Sequence, residues 1–132
     1  MSNSFAARGI ALAALVGTIS ITAHAGADEK LSAFMNAKLV HSEKVLEGLA
    51  REDYDLIAKH STTISGLCLD ELWMVLQTPE YAERSKEFRR SVYAITEAAQ
   101  KKNLEAAAFA YVDMTMKCVS CHKYVRKVRS GQ

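Results

Sequence analysis

Five residues near the C-terminus, Cys118-Val119-Ser120-Cys121-His122, hold the densest chemistry in this 132-residue chain. Two cysteines three apart on a helix present both sulfurs to one side. Thiols so placed can bond the two vinyl groups of a single haem. The adjacent His122 then offers a ring nitrogen as an axial ligand to the iron. The expected cofactor is one covalent haem c, held by Cys118 and Cys121 with His122 as the proximal ligand. Other chemistries fit these residues less well. A thioredoxin-like redox pair belongs in a βαβ setting, and no strand pattern is present. Structural zinc takes four ligands, whereas Cys118, Cys121 and His122 supply three with no second cluster at finger spacing. A Cys118–Cys121 disulfide would strand Cys68, the third cysteine of the chain.

The elements that must position this motif are helical. From Asp28 onward the chain shows no β-branched alternation and no Asn-Gly or Asp-Gly turns, the usual strand and hairpin signals. In the first segment Leu31, Phe34, Met35, Leu39, Val45, Leu46 and Leu49 recur at spacings of three and four, one face of a helix. Asp28 is the expected cap, and Gly48 with Arg51-Glu52-Asp53 marks the end. A second stripe runs from Leu56 and Ile57 through Ile64, Leu67 and Cys68 to Leu72, Val75 and Leu76. Gln77-Thr78-Pro79 is expected to stop it, because proline removes a donor and disfavours helix before it. The third helix reads Tyr81, Phe88, Val92, Ile95 and Ala99 and ends near Lys101-Lys102. Asn103 can cap a fourth, with Leu104, Ala107, Ala108 and Tyr111, then Thr115, Cys118, His122 and Val125, facing inward. Short connections make antiparallel neighbours. The expected fold is all-α, an antiparallel up-down-up-down four-helix bundle with the haem attached near its C-terminus.

Residues 1–25 read as a cleaved signal peptide, leaving 26–132 as the single bundle domain. Arg8 forms a weak basic n-region, Ile10 to Ala23 is apolar or small, and Ala23-His24-Ala25 has the form of a cleavage site. The apolar run is too short and too often interrupted for a membrane span, so no stable span is expected after cleavage. The location implied is the periplasm or an equivalent exported compartment. A formal net charge of +2 without a basic block argues against a nucleic-acid partner.

A signal peptide, four helices and a C-terminal attachment motif together resemble the class II c-type cytochromes, the cytochrome c-prime family. The resemblance covers the whole mature chain and rests on Cys118, Cys121, His122 and a first-helix methionine. In the low-spin branch of that family a methionine in this region closes the iron from the far side, which makes Met35 the distal candidate. A methionine on an apolar helix face is otherwise plain core. The family also places a basic residue four after the haem histidine, as Arg126 is here. It often places an aromatic three after, where this chain has Val125, with Tyr124 one earlier.

Lys38, one turn after Met35, and Arg126 can contact haem propionates, or Lys38 can extend to solvent. His60, between Ile57 and Ile64, faces inward or toward a haem edge, and His41 is solvated. Met114 and Met116 share the haem helix and cannot reach its far side. Cys68 reads as a small hydrophobe, and Trp73 and Tyr111 as core aromatics. The basic tail, including Lys123 and Arg129, suits a helix C-terminus or an acidic redox partner. A His/Met pair suits a one-electron carrier, whereas an open iron would bind small gases such as nitric oxide or carbon monoxide. A haem-free helical module that uses its thiols is the third reading. No acid, base or nucleophile stands in register for catalysis, so an enzyme is not expected. The family often dimerises through its first two helices, and association of two copies is left open because no apolar outward stripe is evident.

Overall fold

A computed structural model describes the backbone of residues 20–70 and 73–131 and, within them, the side chains from residue 28 onward. Four helices make up the fold: α1 Ser20–Ala50, α2 Tyr54–Leu67, α3 Pro79–Gln100 and α4 Leu104–Arg129. Among the described residues there is no strand, and no helix is long and apolar enough to cross a membrane. The segment read as a signal peptide lies outside the described residues as far as 19, and of 20–25 only the helical backbone is described.

Two turns of the same construction join α1 to α2 and α3 to α4. In the first, the Asp53 amide bonds the Gly48 carbonyl and the Glu52 amide bonds Leu49. In the second, Asn103 and Lys102 repeat this with Ala98 and Ala99. These are Schellman closures, and each puts a non-glycine residue in the left-handed region, Glu52 at φ 54° and Lys102 at φ 53°. The next residue then starts a new helix. Asp53 accepts from the Leu56 amide and Asn103 from the Ala106 amide, both at 2.9 Å, which satisfies donors that a helix start leaves open.

Three boundaries differ from expectation. Helix α1 runs through Asp28, so this residue is no cap. Helix α2 ends at Leu67, with Cys68 as its C-cap, and does not continue to Leu76. Residues 74–78 are instead a non-helical connection. Pro79 does not end a helix; it opens one. Thr78 caps α3 by accepting from the Tyr81 amide, and proline at the first helical position loses no hydrogen bond because that amide has no intrahelical partner.

The core is a continuous apolar cluster that includes Phe34, Val45, Ile57, Ile64, Val92 and Ile95. Helix periodicity decides which predicted stripe residues join it. Leu39 and Leu46 are exposed, and Lys38, four residues after Phe34, takes the inward place. On α4, Thr115 is exposed and Met114 is buried instead. Cys68 and Trp73 are buried as expected, while Tyr111 is half-buried with its hydroxyl beside Ser42. Histidines 41 and 60 also depart from their readings. They clasp α1 to α2, Nδ1 to Nδ1 at 2.8 Å.

Two outcomes follow from this packing. A Cβ built on Gly48 would sit 2.8 Å from Ile57 Cγ1 and 3.1 Å from the Ile57 amide nitrogen. Gly48→Ala should therefore lower stability by roughly 1–3 kcal/mol through overpacking, measured by urea unfolding; an unchanged midpoint would show that α1 and α2 can separate freely. Burial and then His41 hold the His60 ring below its ordinary pKa. A lowered folded value means the unfolded chain binds more protons, so stability is held above pH 6.5 and lost as pH falls through it. His60→Gln should flatten that acid slope in thermal melts; an identical slope would remove His60 as its source.

Candidate functional site

Helices α1 and α4 make few contacts with each other, and a cavity of about 610 Å³ opens where they part. This lies within the range of small-molecule and cofactor sites. One wall comes from α4 and carries Cys118, Cys121, His122, Arg126 and Arg129. The facing wall comes from α1 and carries Leu31, Met35, Lys38 and Leu39. Ile64, Trp73, Val75, Tyr81 and Phe88 close the remaining sides. All six residues singled out from sequence, Met35, Lys38, Cys118, Cys121, His122 and Arg126, thus line one space. His41 and His60 do not border it.

Spacing on α4 explains its wall. Ala107, Met114, Cys118 and Cys121 recur at three, four and seven residues, so they project to one side. Met114 is almost fully buried beneath the two cysteines, which are half-buried. His122, next along, stands at the edge of this face and is exposed on its outer side. All three cysteines are free thiols. Burial pushes the Cys118 and Cys121 thiols above their ordinary pKa, while Lys38 pulls both the other way. Burial, then Arg126 and Lys38, hold the His122 ring below its ordinary value. That favours the neutral imidazole a metal needs as ligand. Among the described residues no three His, Cys, Asp or Glu side chains converge as a protein-only metal centre. Cys118, Cys121 and His122 are arrayed along a wall.

Lys38 is the residue whose surroundings sequence reasoning missed. It is only 9% exposed, so it does not extend to solvent. Its ammonium lies 3.2 Å from the Trp73 ring centroid and 4.2 Å from that of Phe88. Burial lowers its pKa to about 8, opposed by Cys68, Cys118 and Cys121. Trp73 supplies a second unusual feature. Its indole Nε1 is buried without a hydrogen-bond partner, a deficit that typically costs about 1–3 kcal/mol. No sequence signal marks this position, because the partner it lacks is a matter of tertiary geometry. The Tyr81 hydroxyl donates to the Trp73 carbonyl and fixes that backbone against α3.

Tyr124 takes up a place outside the cavity. Its hydroxyl meets Thr78 Oγ1 at 2.7 Å, and Arg84 lies over its ring. It ties the end of α4 to the start of α3, leaving Val125 to line the cavity.

The residues present fit a large, flat, apolar cofactor with an anionic edge. The walls are mainly apolar, the polar groups that face the space are cationic or donors, and the thiols and imidazole share one wall. Haem meets that description. Comparisons with protein-family models, curated proteins and solved structures find no match to this chain.

The buried cation predicts a stability change. Desolvating an ammonium costs more than aromatic contact returns, so Lys38→Met should stabilise the haem-free chain by about 1–2 kcal/mol. Denaturant unfolding measures it; a loss of stability would mean that the contact with Trp73 outweighs burial of the charge.

Proposed function

We propose that this chain is an exported monohaem c-type cytochrome acting as a one-electron carrier, with a low-spin His/Met haem in a bundle of antiparallel helices like that of the class II family. What supports the reading is the single cavity that gathers Cys118, Cys121, His122 and Arg126 from one helix and Met35 and Lys38 from another. Bound haem supplies an Fe(III)/Fe(II) couple, whose potential its axial ligands and surroundings tune.

Each residue has a part in this scheme. Cys118 and Cys121, both free thiols, would hold the porphyrin covalently. His122, favoured as the neutral imidazole, would ligate the iron from the same helix. Met35 offers its thioether from the α1 wall, a soft donor that favours the reduced metal. Lys38 and Arg126 offset propionate charge, and Arg129 adds to the basic rim that an acidic redox partner can approach. Leu31, Ile64 and Phe88 contribute apolar wall to the site. Electrons move; no substrate bond is made or broken.

Spectra and mass test the scheme together. The matured protein should gain the mass of one haem, and Cys118→Ala with Cys121→Ala should abolish the gain. The ferrous form should give a sharp, split α/β pair that carbon monoxide leaves in place. Met35→Ala should convert it to a broad, carbon-monoxide-sensitive spectrum. Wild-type protein that already binds carbon monoxide would instead make this an open gas-binding haem. A Met35→Ala variant that stays low-spin, with Lys38→Met the one that does not, would move the distal role to Lys38. Absence of haem mass would end the proposal.

A further inference from the structure

Helix α4 carries a second apolar face turned away from the core, and of its four apolar residues only Val119 also borders the cavity. Phe109, Val112, Met116 and Val119 are exposed by 79%, 59%, 59% and 56%. This overturns the expectation that no outward stripe exists. Exposed Glu105 precedes the four and exposed Lys123 follows them. From Glu105 to Lys123 the spacing runs four, three, four, three, four, the heptad rhythm of a coiled-coil seam. At 100° per residue all six fall within a sector of about 80°, and that sector points about 180° away from Ala107 and Met114. Among the described residues, none of the four helices covers this face.

We infer that this seam is a homodimer interface, formed by antiparallel pairing of α4 with α4 of a second copy about a two-fold axis. The charge order selects that occupant. A two-fold axis level with residue 114 sets Glu105 against Lys123 of the other copy, Phe109 against Val119, and Val112 against Met116. The stripe thus complements itself in an isologous contact, where one patch serves both subunits, and acidic and basic ends meet twice. Lys127, one turn beyond the seam, has no α4 residue opposite it, because α4 begins at Leu104. The paired length is about 27 Å at 1.5 Å per residue. The seam lies opposite the buried face of α4 and meets the cavity only at Val119, and the inference stands whether or not that cavity holds haem.

Sedimentation of the matured full-length protein across a range of concentrations tests this directly. A reversible dimer is expected. Phe109→Asp with Met116→Asp should weaken it by roughly a hundredfold or more, since symmetry loses each apolar contact twice. Circular dichroism should show unchanged helix, because both positions are exposed. Glu105→Lys alone should weaken association roughly threefold to tenfold, and Glu105→Lys with Lys123→Glu should restore it. A chain that stays monomeric at every concentration overturns the inference. So does a dimer indifferent to the α4 substitutions, which would place its contact on other helices, and so does a monomer that binds lipid vesicles through this stripe.

Discussion

Because α1 and α4 scarcely touch, side chains from the two helices must face each other across a gap that the chain itself does not fill. The sequential pairs α1 with α2, α2 with α3 and α3 with α4 pack closely, held by the tight turns and the shared apolar cluster. The first and last helices are tied more sparsely, through Met114 in the shared cluster and Ser42 beside the Tyr111 hydroxyl. Interiors are otherwise close-packed, whereas this space, open on one side, is wide enough to take a small-molecule or cofactor ligand. At its walls the Lys38 ammonium lies over the Trp73 ring, and the indole nitrogen of Trp73 is buried without a hydrogen-bond partner.

The chemistry of the two walls is unequal in a useful way. Helix α4 presents two thiols and an imidazole within five residues, enough to hold one cofactor by bonds that dilution cannot reverse. Helix α1 presents a thioether and an amine one turn apart. Either can approach a metal from the opposite side, but a soft, neutral thioether and a basic amine stabilise different oxidation states. The burial that lowers the Lys38 pKa and the half-buried thioether of Met35 thus put two different donors on one wall of the cavity.

Helix α4 works on both sides. One face supplies Ala107 and Met114 to the core and Cys118 and Cys121 to the cavity. The opposite face repeats apolar residues with a heptad rhythm and ends in charges of opposite sign. A helix buried on one side only would carry polar residues there, and an apolar stripe exposed to water is a standing cost unless another surface meets it.

Much of this was legible in residue order. The Cys118–His122 spacing, the helical period of α3 and α4, and Asn103 as a cap depend on contacts within a few residues, and local contacts are what sequence encodes most directly. Local patterns misled where a competing local interaction won. Leu72, Val75 and Leu76 continue the α2 period, yet the helix closes at Cys68, and Thr78 with Pro79 starts a new one. Lys38 in the core, the clasp of His41 with His60, and the orphaned Trp73 nitrogen were settled only by tertiary structure. Each depends on which side chains from distant segments arrive at the same place. A lysine can be read as solvated until the aromatic rings of two other segments are seen to enclose it.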